Sequence, residues 1–238
     1  MDAIVYSITF AAIAFAAFML LKHFDKRLTW TLGVLFAVYV GLDDLVTGLP
    51  PEVPELRPFT TRWNWWGKSY SVLLSIVVIL TFALSREAVG LTSPKRNIRV
   101  GLVVLMVLIL SSVSIGFVVD SDPPTASTLA FQTLMPGLAE ELTYRGIAPA
   151  LLLNLMRGRN PPEAVPWIVV CIAAVPYGVV HGLGYNGDTF SFTLGPALYT
   201  LTGGIIYGWL RFYTGSLLFP FLAHGLGNAM FHLMALVR

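Results

Sequence analysis

The stretch VGLVVLMVLILSSVSIGFVV, residues 100–119, contains no charged residue. A helix needs about 20 such residues to cross the hydrocarbon core of a bilayer. Lipid offers no partner to unpaired backbone groups, so a run of this kind reads as helix. Working outward, seven further apolar segments qualify: 4–21, 28–49, 69–85, 126–156, 167–184, 191–210 and 217–237. The expected fold is all-α, a polytopic transmembrane helical bundle of about eight spans, with residues 1–238 as a single membrane domain. The fifth segment is 31 residues long, so it must tilt, kink at Pro136 or extend beyond the bilayer.

Composition agrees. The chain is 56% hydrophobic and 12% charged, where soluble domains carry about 25% charged residues. A net charge of +2 is too small to point to nucleic acid. Cys171, the one cysteine, lies in an apolar run and reads as a small buried residue. The N-terminal run has Asp2 before it and Lys22, Lys26 and Arg27 after it, the reverse of a signal peptide, so a retained first span is expected. All six tryptophans fall at or near span ends, as in the aromatic belt of membrane proteins. The first, third, fifth and seventh loops hold ten Lys and Arg (Arg211 among them), and the opposite side holds Arg57, Arg62, Lys68 and Arg238. That asymmetry places the odd loops in the cytoplasm and both termini outside. The loop from Pro50 to Lys68, with four prolines, is expected along the interface. The localisation expected is a multi-pass protein of the cell membrane.

Ionisable residues inside spans are costly and are functional candidates. The fifth span carries Pro136-Gly-Leu-Ala-Glu-Glu-Leu-Thr-Tyr-Arg-Gly146. Glu141 and Arg145 are four apart, share a helical face and can pair. Glu140 points about 100° away from Glu141 and is left without a cation of its own. It is therefore expected to take up a proton readily and to act as a general base. A packing ion pair plus one snorkelling acid is the competing reading. The sixth span ends in Val175-Pro-Tyr-Gly-Val-Val-His181, with Tyr177 and His181 on one face; an interfacial histidine is the alternative there. In the eighth span His224 lies near mid-membrane with Asn228 one turn on. Both can donate toward an oxyanion, or act as interhelical glue. Glu140, His181, His224 and Asn228 come from three spans. Together they supply a base, a polarising or water-positioning group and oxyanion donors, which is a hydrolase set.

These motifs resemble those of the CAAX protease and bacteriocin-processing family (CPBP, or Abi), which includes the type II CAAX prenyl endopeptidase. The matching elements are Glu140-Glu141-x-x-x-Arg145, Tyr177-x-x-x-His181 and His224-x-x-x-Asn228, with the lead Tyr213-Thr-Gly-Ser-Leu217. The resemblance covers about residues 126–236. Tyr177 replaces the family's usual Phe and adds a hydroxyl to an aromatic wall. The resemblance implies an intramembrane endopeptidase cleaving near the C-terminus of lipidated or membrane-associated peptides, with a prenylated or membrane-anchored substrate and the bilayer as partners. Glu140 and His181 would activate water, and His224 and Asn228 would bind the oxyanion. Glu141, Arg145 and Tyr177 would support them. No cofactor is expected. The alternative is zinc held by Glu140, His181 and His224 with an open position for water.

Other chemistries fit less well. There is no His-Glu-x-x-His. Gly184-Tyr-Asn-Gly-Asp188 falls in a loop without a matching second aspartate in a span, and Asp43 and Asp44 read as a solvated span end. Gly215-Ser216 lacks a paired histidine at suitable depth. A proton-coupled transporter would also use buried Glu, Arg and His, but no internal repeat is visible. A non-catalytic membrane partner protein is the third reading.

Overall fold

In the computed structural model, which describes residues 2–157 and 165–237, four helices begin where a polar side chain closes the first turn. Thr29, Asn64, Ser85 and Thr125 each accept a hydrogen bond from the backbone N–H three residues on. The helices are α1 (Asp2–Leu21), α2 (Trp30–Glu52), α3 (Trp65–Thr81), a short α4 (Arg86–Val89), α5 (Ile98–Val118), α6 (Ala126–Glu141), α7 (Ala148–Arg157), α8 (Trp167–Gly182), α9 (Leu194–Thr214) and α10 (Leu218–Leu233). Each of the eight apolar segments is helical over most of its length. The exception to an all-α chain is a small hairpin, β1 (Leu183–Tyr185) with β2 (Phe190–Phe192), paired antiparallel between α8 and α9. Asp188 sits in its turn.

Among the described residues three stretches are long and apolar enough to cross a membrane: Asp2–Phe24, Trp30–Glu52 and Ile98–Val118; Trp65–Thr81 and Trp167–Gly182 are shorter apolar helices. Large apolar side chains cover their outer faces, among them Leu102, Val103, Met106, Val107 and Leu110 of α5. This is the surface expected of helices in lipid. Trp30, Trp65 and Trp167 stand in first turns, while Trp209 stacks on Tyr213 one turn inside α9.

Loop contacts show how the helices alternate. Lys95 N donates to Thr214 O and Asn97 Nδ2 to Tyr213 O, so the α4–α5 and α9–α10 connections share one end of the bundle. Arg62 pairs with Asp122 at 3.5 Å, and Trp63 Nε1 donates to Thr128 Oγ1, so the α2–α3 and α5–α6 connections meet at the other. Tyr6 in α1 donates to the carbonyls of Val180 and Leu183 near the end of α8.

The fifth apolar segment, expected to tilt, kink at Pro136 or extend beyond the bilayer, contains a break in its regular helix. Pro136 lies within α6, and the irregularity follows Glu141 as a π turn over Leu142–Ile147. Such turns rotate the residues after them without ending the helix, and they recur at functional sites. The larger core joins α1, α2, α7 and α8 through Phe10, Phe18, Phe36, Ile147, Leu152 and Ile172. A smaller one joins α5, α9 and α10 through Leu105, Leu210, Phe219 and Ala223.

Two basic residues are not where the loop charge balance puts them. Lys68 is in the second turn of α3 and points inward. Arg211 is buried in the last turn of α9 and donates to the carbonyls of Glu87 and Ala88. Each side of the balance loses one charge. Arg159 and Arg238 of that balance, and the side chain of Arg157, lie outside the described residues.

Candidate active site

Close approach of α6 and α10 makes the site possible. A Cβ on Gly225 would stand 2.0 Å from Thr133 O, and one on Gly137 3.0 Å from Phe221 O. With no side chain at either position the backbones meet, and His224 reaches the carboxylates of α6. Its Nδ1 lies 2.8 Å from Glu141 Oε1, and its Nε2 lies 3.9 Å from Glu140 Oε2. From α8, His181 Nε2 lies 3.8 Å from the same Glu140 oxygen, while its Nδ1 faces Tyr177 O at 2.8 Å. The acceptors beside both Nδ1 atoms assign the ring protons: each Nδ1 donates, and each Nε2 faces Glu140.

Glu140, His181, His224 and Asn228 all line one cavity of about 790 Å³ between α3, α5, α6, α8, α9 and α10. Asn228 Nδ2 donates to Gln132 Oε1 at 3.2 Å, which fixes the carboxamide and leaves it a second N–H. Trp63, from the loop expected along the interface, stacks on Phe131 with centroids 5.3 Å apart, and both line the cavity. Glu141 and Arg145 pair at 3.2 Å with both side chains almost fully buried. The Arg145 guanidinium also stands 3.9 Å from the centre of the Tyr177 ring, a cation–π contact. Tyr177 in turn packs against His181, with ring centroids 4.6 Å apart.

Two expectations are corrected here. Glu140 has a cation: Lys68 Nζ lies 2.7 Å from its Oε1. The sequence hides this pair because its members are 72 residues apart. Asp43 and Asp44 do not form a solvated span end. Asp43 is 6% exposed and accepts from Ser71 Oγ at 2.6 Å and Thr143 Oγ1 at 3.0 Å. Asp44 accepts from Ser7 Oγ at 2.6 Å. Lys68 was legible only as a faint signal, recurring with Ser71 and Ser75 at helical spacing on a largely apolar segment, and Asp43 and Gln132 carried no such signal.

The zinc alternative would have to compete with a cation already present in the site. Glu140 Oε2 is 3.8 and 3.9 Å from the two imidazole nitrogens, and the Lys68 ammonium already stands against the other oxygen of that carboxylate. Among the described residues no three His, Cys, Asp or Glu are grouped to hold a metal ion.

A charged cavity enclosed by apolar helices defines a membrane-embedded protein built around an internal polar site. Residues 122–230 match the family described as type II CAAX prenyl endopeptidase Rce1-like. Over these residues the chain is similar to that family of membrane proteases. No curated protein and no solved structure matches it. The matched segment runs from just before α6 into α10 and holds Glu140, His181, His224 and Asn228. Lys68 and Asp43 lie outside it.

Proposed function

We propose that the protein is a multi-pass intramembrane endopeptidase of about eight spans that hydrolyses a peptide bond near the C-terminus of a lipidated or membrane-anchored peptide. The observation that carries this reading is one carboxylate oxygen, Glu140 Oε2, faced by two imidazole nitrogens at 3.8 and 3.9 Å. A water can bridge Oε2 and His181 Nε2 across that span. As its oxygen bonds to the carbonyl carbon, its proton passes to Glu140. The oxyanion so formed accepts from Asn228 Nδ2, and from His224 Nε2 when that nitrogen carries a proton. Collapse breaks the C–N bond, and Glu140 returns the proton to the leaving amine. No step requires a metal.

The test is mass spectrometry of a farnesylated peptide ending in a CAAX sequence, incubated with purified wild-type and Glu140→Ala protein. The reading expects two new masses with wild type and none with the variant. An intact peptide with both proteins, together with solute uptake by the wild type in liposomes, would turn the assignment to a transporter.

A further inference from the structure

The three family motifs do not include α3, yet α3 delivers a charge to the site. Lys68 stands in the second turn, and Ser71 and Ser75 continue the same face. Ser71 and Ser75 are 1% and 0% exposed. Ser71 Oγ donates to Asp43 Oδ1 at 2.6 Å, and Thr143 Oγ1 donates to the same oxygen at 3.0 Å. Tyr39 OH donates to Thr143 Oγ1 at 3.4 Å and shares a 3.2 Å hydrogen bond with Ser75 Oγ. Asp43 is thus locked to the π turn and, through Ser71, to α3 three residues on from Lys68. The Lys68 ammonium makes a 2.7 Å contact with Glu140 Oε1.

We propose that Lys68 is a positioning residue of this site, carried on a helix that Asp43 braces through Ser71 and clamping Oε1 of Glu140, so that Oε2 alone faces His181 and His224. The inference rests on the reading of Glu140 as the base. A glutamate has two equivalent oxygens and three rotatable side-chain bonds. Tying one oxygen to a compact ammonium selects the orientation of the other. The countercharge also allows a carboxylate to remain ionised in an enclosed cavity, where an isolated charge is costly. Thr143 belongs to the π turn that follows the Glu140-Glu141 pair, so the same turn that places the motif residues also braces the clamp.

The experiment measures kcat and KM on a farnesylated CAAX peptide for wild type, Lys68→Met, Lys68→Arg, Asp43→Asn and Glu140→Gln, all as full-length protein in one detergent. Misplacing a reacting group by about 1 Å costs on the order of 100-fold, so Lys68→Met is expected to lose about that much kcat with little change in KM. Lys68→Arg should recover part of the loss, and Asp43→Asn should fall between wild type and Lys68→Met. A Lys68→Met enzyme with wild-type kcat, or a Lys68→Arg enzyme no better than Lys68→Met, overturns the proposal. Turnover by Glu140→Gln would instead remove the base on which it stands. Melting temperature supplies a second readout. Lys68→Met should lower it in the wild type but not in Glu140→Gln, where no carboxylate is stranded, and an equal loss in both backgrounds overturns the clamp. Should Lys68→Met fail to fold, a folded Lys68→Met/Glu140→Gln protein supports the pair and an unfolded one refutes it.

Discussion

His224 Nδ1 and Arg145 Nη1 both donate to a single oxygen, Oε1 of Glu141, at 2.8 and 3.2 Å. Glu141 is therefore the joint between α10 and the π turn, as well as the partner of a buried guanidinium. Neutralising it strands Arg145 and frees the imidazole in one step. Breaking a buried pair from one side costs about 3–5 kcal/mol. Glu141→Gln should lower the melting temperature by a corresponding amount and also reduce turnover, since His224 loses the group that orients it. Arg145→Gln in the Glu141→Gln background should add little, because the two changes remove one shared interaction. Fully additive losses in that double-mutant cycle, followed by thermal unfolding, would show that the pair does not act as a unit.

Gly225 and Gly203 make a matched pair for the packing argument. A methyl group on Gly225 collides with Thr133 O at 2.0 Å, whereas one on Gly203 meets nothing within 4 Å. Gly225→Ala should push α10 from α6, lower stability by about 1–3 kcal/mol and pull His224 away from Glu141, with turnover falling accordingly. Gly203→Ala should leave stability unchanged or raise it by up to about 1 kcal/mol through helix propensity. Melting curves of the two variants decide the matter; a tolerant Gly225→Ala would mean that the helices do not need this contact.

With the Lys68 ammonium against Glu140, the proposed mechanism predicts metal independence. Turnover is expected to persist after exhaustive chelation, with metal analysis showing far less than one zinc per chain. Stoichiometric zinc, with activity lost on its removal and restored on its return, would assign Glu140, His181 and His224 as ligands instead. Chelator inhibition without that recovery would not.

Orientation can be read by labelling. Phe24 is 78% exposed and the Lys95 side chain 62% exposed, in loops placed on the cytoplasmic side. Cysteines at these positions in a Cys171→Ala background should resist an impermeant maleimide in intact cells and react once the cells are opened. Labelling of both in intact cells would invert the bundle.

The sequence by itself determined the helices. Uncharged runs near membrane length leave the backbone no other way to satisfy its hydrogen bonds, so each predicted segment is helical over most of its length. It also determined the pairing of Glu141 with Arg145, because residues four apart on one helix meet whatever surrounds them. It singled out Glu140, His181, His224 and Asn228 as polar residues that an apolar segment would not carry without a use, and the three-dimensional arrangement brings these four to one cavity. The partners of those residues were decided only by tertiary structure. Lys68 lies 72 residues from Glu140, and its position beside an apolar run made it look like a loop cation. Asp43 and Asp44 looked solvated because hydropathy cannot tell a span end from a helix face turned toward Ser71, Thr143 and Ser7. The π turn after Glu141 was equally invisible, since a length of 31 residues announces an irregularity but not where packing will place it. Contacts within one helix follow from its periodicity. Contacts between helices depend on which faces meet, and that is settled by glycines and buried polar groups distributed over the whole chain.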